Sequence, residues 1–130
     1  MSSPYISLLG LARRAGKVEI GDEATKSACS HGLARTILIA GDASDRTREA
    51  FEFIAESANI PHISVAETRE EIGNALGKRP CAVVAICDTG FSAAIIKKLA
   101  AENEAAKAIL PTLEKKADRA VSRKKAKSKK

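Results

Sequence analysis

The sequence predicts a three-layer αβα sandwich built over a small mixed, four-stranded sheet, and three observations carry that prediction. Two runs, Thr36-Ile37-Leu38-Ile39-Ala40 and Ala82-Val83-Val84-Ala85-Ile86, are apolar on both alternating faces, as strands are when helices cover them on either side. Segments with apolar residues at helical spacing alternate with the extended pieces, which is the order of an α/β domain. With 130 residues and 45% apolar content, the chain supports one ordinary core and has no room for a second.

The elements follow in order. Ser3 and Pro4 make a helix start, a capping hydroxyl followed by a residue whose missing N–H is not needed there. Tyr5, Leu8, Leu9 and Ala12 then recur at helical spacing up to a stop at Gly16. Lys17 to Ile20 reads as a short extended piece, and a second helix runs from Gly21 to a stop at Gly32. After the first central strand, Asp42 to Ser44 start a third helix through Phe51, Ile54 and Ala55, which ends before Asn59 and Pro61. Ile63 and Val65 form a short strand. Thr68-Arg69-Glu70-Glu71 has the spacing of a capping box, and the helix it opens carries Ile72 and Leu76 and stops at Gly77. Lys78-Arg79-Pro80 is a basic loop before the second central strand. Asp88-Thr89-Gly90 opens a last helix through Ile95, Ile96 and Leu99, expected to run on to Leu110 and to be interrupted by Pro111. The domain is therefore drawn as residues 1–110. Residues 111–130 form a basic tail with little to bury, expected to be disordered.

Charge is distributed unevenly. Residues 114–130 hold nine Lys or Arg against Glu114 and Asp118, a net +7, whereas residues 1–113 carry 13 basic against 14 acidic groups, a net −1. A tail of this kind favours polyanions, and nucleic acid is the obvious class. Cys29, Cys81 and Cys87 are odd in number and lack C-x-x-C pairing, and neither His31 nor His62 has ligand-type neighbours at metal spacing, so neither a disulfide framework nor a metal site is expected. The longest apolar run, Cys81 to Cys87, is far short of the ~18 residues that span a bilayer. The N-terminus lacks the pattern of a signal peptide, and a cytosolic monomer without cofactor is expected.

The segment richest in candidate chemistry is Gly21-Asp22-Glu23-Ala24-Thr25-Lys26. A helix start exposes unpaired N–H groups and a partial positive charge, so polar side chains gathered there can meet a phosphate or a base edge. The bland reading is that Asp22 and Glu23 only complement the helix dipole.

Together with that segment, Leu8-Leu9-Gly10-Leu11-Ala12-Arg13-Arg14-Ala15-Gly16-Lys17, Leu38-Ile39-Ala40-x-Asp42-Ala43-Ser44 and Val84-Ala85-Ile86-x-Asp88-x-Gly90-Phe91 resemble the kink-turn-binding ribosomal proteins of the L7Ae and L30e type, the bacterial branch above all. The likeness covers about residues 5–100. It implies an αβα sandwich, no catalysis, and binding of sharply bent RNA, ribosomal RNA among the candidates, with the first turn of the second helix set against sheared G·A pairs. By that resemblance Gly21, Glu23 and Lys26 are the reading residues, and Asp22 stands where archaeal members have asparagine. A carboxylate can accept from guanine N–H donors, and a lysine can donate to O6 or N7. Asp22 cannot donate and is repelled by phosphate. The resemblance also implies a second contact in the loop before the last core strand, here Lys78, Arg79, Pro80 and Cys81, the first two for phosphates and the others as a small apolar face for a bulged base.

Two alternatives come from other classes. Asp42 and Asp88 both follow apolar strands, where open α/β sheets keep their ligands, and as a pair they could hold Mg²⁺ in a receiver or phosphoryl-transfer domain; the plain account makes each a cap of the following helix. The other alternative is a protein-interaction scaffold on a degenerate RNA-binding fold.

Overall fold

The structure, a computed structural model, describes residues 4–128, with side chains described through residue 120. Its elements are α1 (Pro4–Arg14), β1 (Val18–Ile20), α2 (Asp22–Ser30), β2 (Thr36–Ile39), α3 (Asp45–Ser57), β3 (His62–Ser64), α4 (Arg69–Ala75), β4 (Val83–Ile86), α5 (Thr89–Ala100) and α6 (Glu104–Ser128). The sheet order is β1-β4-β2-β3. β2 and β3 run parallel, and β4 is antiparallel to both β1 and β2. The expected four-stranded mixed sheet is therefore present, with the two doubly apolar strands at its centre.

Strand alternation splits the core in two. Leu38, Val84 and Ile86 face a layer made of α1, α4, α5 and α6, where they meet Leu9, Ile72, Ile95, Ile96 and Leu99. Ile37, Ile39, Val83 and Ala85 face α2 and α3, where they meet Ala28, Phe51 and Ala55. A shift of one residue in either central strand would exchange these two sets, so register and layering are fixed together.

Local chemistry places the helix ends close to the expected positions. Ser44 caps α3, its hydroxyl accepting from Thr47 N–H at 3.1 Å. The Thr68 and Glu71 side chains complete both bonds of the expected capping box, at 3.1 and 3.0 Å. Asp88 caps α5 by accepting from Phe91 N–H at 2.8 Å. The Ser3 cap falls outside the described residues.

The C-terminal third departs from expectation in two ways. The last core helix does not run on to Leu110. It stops at Ala100, and Asn103 caps a new helix by accepting from Ala106 N–H at 3.1 Å. The short connection folds α6 back against α5, as short helix–helix connections do. Pro111 then fails to end that helix, which is continuous to Ser128. A proline inside a helix removes one hydrogen bond and strains the preceding turn. Here Lys107, whose carbonyl loses its partner, and Pro111 are both exposed to water. The opposite stripe, Ala106, Ile109, Leu110 and Leu113, packs on the core, with Ala106 and Leu113 at 0% exposure. Burial of that stripe outweighs the cost of the proline, and a boundary drawn at residue 110 cuts through a packed helix.

Candidate nucleic-acid interface

The antiparallel course of β4 decides which loops share an end of the sheet. Ile20 pairs with Val84 and Ile39 with Val83. The exit of β1, the exit of β2 and the entry of β4 therefore lie together, and β3, parallel to β2, delivers its exit to the same end. This brings α2 and the 77–81 loop to one pole, although more than fifty residues separate them in sequence.

Gly21 turns the chain from β1 into α2. Its N–H donates to Val83 O at 3.0 Å, and its carbonyl accepts from Thr25 N–H at 3.0 Å. It sits at φ 94°, ψ 171°, a combination open almost solely to glycine. Apart from Gly21 and its two chain neighbours, no atom lies within 4 Å of where a Cβ would be. The glycine is thus required by conformation, and the space in front of it is open.

No side chain caps the first N–H groups of α2. Asp22, Glu23 and Lys26 are all exposed around that turn, and Thr25 points inward and is buried. Lys26 lies one turn on from both acids, on their side of the helix. Its Nζ stands 6.0 Å from the centroid of the buried Phe51 ring of α3, the outer reach of a cation–π contact.

The 77–81 loop owes its position to a residue that the sequence reading passed over. A Cβ on Gly73 would sit 2.5 Å from Arg79 O and 3.0 Å from Lys78 O. Only a bare backbone in α4 lets the loop pack this closely, and two hydrogen bonds hold it there, Lys78 N–H to Gly73 O at 2.8 Å and Cys81 N–H to Arg69 O at 3.2 Å. A glycine inside a seven-residue helix was the available signal.

Lys78, Arg79 and Pro80 are exposed. Cys81 is not. It is 7% exposed and packs with the core, so it supports the loop from below and the expected apolar face reduces to Pro80. Burial pushes the Cys81 thiol up, and the nearby Asp22 carboxylate adds to the shift. The two expected contact regions are therefore neighbours.

Two further cations join this surface without having been expected there. Arg13 and Arg14, in the last turn of α1, line an open depression with Lys78, Val18, Glu19 and Ile20, directly before Gly21. Glu19 and Ile20 stand directly before Gly21, and the fold supplies basic groups beside them from elsewhere.

The remaining loops at this pole are tied down. Asp42 Oδ1 accepts from Arg69 N–H at 2.7 Å, and its Oδ2 lies 3.6 Å from Arg69 Nε. Arg48 donates to Ser64 Oγ at 2.6 Å and to Gly41 O at 3.3 Å. Tyr5 donates from its buried phenol to Glu67 Oε1, and burial followed by that carboxylate pushes the phenol far up, so it stays protonated.

The same topology overturns the metal-binding alternative. Asp42 follows β2 and Asp88 follows β4, and because these strands are antiparallel the two aspartates lie at opposite ends of the sheet. Each is engaged locally, Asp42 with Arg69 and Asp88 with Phe91 N–H. Among the described residues no group of three or more His, Cys, Asp or Glu side chains is disposed to hold a metal. Among the same residues, no helix is long and apolar enough to cross a membrane.

Known proteins align with this architecture. A 95-residue alignment to RNA-binding protein YlxQ of Bacillus subtilis is 33% identical and spans 73% of this chain and 94% of that protein. Large ribosomal subunit protein eL30 of Tetrahymena thermophila is 31% identical over 87 residues, 66% of this chain and 84% of its own length. A solved protein of unknown function from Bacillus halodurans superposes with a TM-score of 0.70 at 30% identity, covering 75% of this chain and 98% of that one. The Giardia lamblia 15.5kD RNA binding protein shares the fold at 17% identity, with a TM-score of 0.62 over 78% of this chain and 85% of its own. A sequence profile matches residues 6–96, and with the four-stranded sheet and the Gly21 turn in place, the chain belongs to the ribosomal protein L7Ae/L30e/S12e/Gadd45 family.

Proposed function

We propose that this chain is a non-catalytic RNA-binding protein that recognises structured, kink-turn-like RNA, acts as a monomer in the cytosol and works in association with the ribosome. The observation that carries the reading is the Gly21 turn. A glycine-only conformation leaves the α2 N-terminus open, with Glu23 and Lys26 exposed around it and Lys78, Arg79 and Pro80 on the adjoining loop. Free N–H groups and a dipole favour a phosphate or an acceptor edge at that turn, while Glu23 and Lys26 supply an acceptor and a donor for guanine edges. Arg13, Arg14 and Lys78 flank the approach and suit the phosphates beside the reading site. The names carried by the YlxQ and eL30 relatives agree with this reading.

Titration of a kink-turn hairpin and a straight duplex against the full chain tests it. The kinked RNA binds more tightly, and Glu23→Ala and Lys26→Ala each remove ~1–3 kcal/mol of that preference without changing the melting temperature by more than a few degrees. Equal binding of both RNAs by the wild type would sink the reading. Binding of neither would favour the interaction scaffold.

A further inference from the structure

The basic tail leaves the domain at the end of the sheet remote from Gly21. α5 starts beside the exit of β4 and returns to the Gly21 end, where Asn103 Nδ2 donates to Ser64 O, at the exit of β3, at 3.3 Å. α6 then runs back along the whole domain. Lys116 and Arg119 reach the entries of β2 and β3 and the exit of β4, and with Arg35, Asn59, Pro61 and Asp88 they line a cleft of about 590 Å³.

Among the described residues, three cations line this cleft against one acid, and that acid is already engaged. Asp88 turns Oδ2 to Phe91 N–H at 2.8 Å. Glu56, in the adjoining depression that Lys116 also lines, stands 3.6 Å from His62 Nε2. In sequence, Arg123 and Lys127 continue the i+3 and i+4 spacing of Lys116 and Arg119, and the helix backbone extends to Ser128. At 1.5 Å per residue, the stretch beyond Leu113 measures about 22 Å.

We infer that this cleft forms a second nucleic-acid docking surface, which takes the phosphodiester backbone of an RNA segment other than the one held at the Gly21 end. The inference rests on the proposed function for the choice of RNA. Its geometry is independent of that site. Arginine forks and a lysine lining an open cleft suit phosphates. A protein partner would need a buried apolar anchor, and beyond Leu113 the sequence holds no large apolar residue except Val121. With ligands at both poles, the domain bridges two RNA segments.

The test uses the full chain and two RNAs. Protein saturated with an unlabelled kink-turn hairpin is challenged with a labelled straight duplex, and it captures the duplex. The combined variant Arg35→Gln, Lys116→Gln, Arg119→Gln, checked for an unchanged melting temperature, loses about tenfold in duplex capture. Its log-salt slope falls by roughly 2 to 3, and its kink-turn affinity stays within about twofold of wild type. Displacement of one RNA by the other would overturn the inference, as would undiminished capture by the variant or preferential capture of a polyglutamate peptide. If the chain fails to prefer the kinked hairpin but still loses duplex capture in the combined variant, the proposed function falls and the second surface stands.

Discussion

The two ends of the sheet are built on opposite principles. At the Gly21 end, the proposed reading surface rests on backbone geometry: a glycine-only turn, a loop seated on Gly73, and loops locked by Asp42–Arg69 and Arg48–Ser64 contacts. At the other end, the proposed docking cleft rests on charge, with Arg35, Lys116 and Arg119 around an open cleft that α6 lines on one side. The first end is suited to choose among RNA shapes, because shape selection needs groups held rigidly in place. The second is suited to add affinity without choice. On these two proposals, one small domain separates specificity from attraction by placing them at opposite poles of the same strands.

The largest effect that can separate the poles comes from undocking α6. Leu113 is fully buried against the core, and Leu113→Ala is expected to cost ~2–5 kcal/mol of stability. Chemical denaturation reads the loss directly. Below the melting transition, kink-turn binding should hold while the salt-dependent component weakens, because the helix that carries Lys116 and Arg119 is loosened. A neutral Leu113→Ala would restore the boundary at residue 110 and with it the picture of a tail that packs against nothing.

Gly73→Ala probes the other pole. The new Cβ would fall 2.5 Å from Arg79 O and 2.8 Å from its carbonyl carbon, and backbone cannot yield as a flexible side chain does. Displacing the loop is expected to cost ~1–3 kcal/mol of stability and to remove most of the preference for kinked over straight RNA. Capture of straight duplex at the far cleft should be spared. If the preference survives, the Lys78–Pro80 loop contributes little and α2 alone does the reading.

These contrasts also explain how much was legible in the sequence. Periodicity and caps are local, so the alternating elements, the two central strands, the Thr68–Glu71 box and the Asp88 cap could be read from single segments. Strand direction is not local. Only the antiparallel pairing of β2 with β4 reveals that Asp42 and Asp88 point to opposite ends, and that the 77–81 loop stands beside Asp22. Arg13 and Arg14 belong to a motif that carries the resemblance, but nothing in their spacing says that they flank Ile20. Pro111 misled because its local cost is outweighed by the tertiary burial of Ala106 and Leu113. Cys81 misled because a residue beside an exposed loop can still face the core.

A smaller effect checks that the core beneath both poles is neutral toward RNA. Thr36, at the entry of β2 opposite Ile86, is 0% exposed, and its hydroxyl has no hydrogen-bond partner among the described residues. Thr36→Val keeps the branched shape favoured in a strand and removes the buried hydroxyl. Stability should rise by about 1 kcal/mol, measured by thermal unfolding, with both RNA affinities unchanged. Weaker duplex capture in this variant would mean that the far cleft depends on strand polarity as well as on its cations.

Asp22→Asn has the smallest expected effect on stability and the most informative sign. In the free protein Asp22 is exposed in the first turn of α2, where a negative charge complements the helix dipole by ~0.3–1 kcal/mol. Neutralising it should therefore lower the melting temperature slightly. The same change removes a charge that repels phosphate and restores an amide donor at a turn facing open space, so binding of the kinked hairpin should tighten, with no change at the far cleft. It also withdraws the lesser of the two influences on Cys81, so that thiol should titrate somewhat lower while burial still holds it up. Opposite signs for stability and RNA affinity would identify Asp22 as a residue that tunes binding at the Gly21 end. If both fall together, the carboxylate acts only on its helix, and selectivity at that pole rests on Glu23, Lys26 and the loop seated on Gly73.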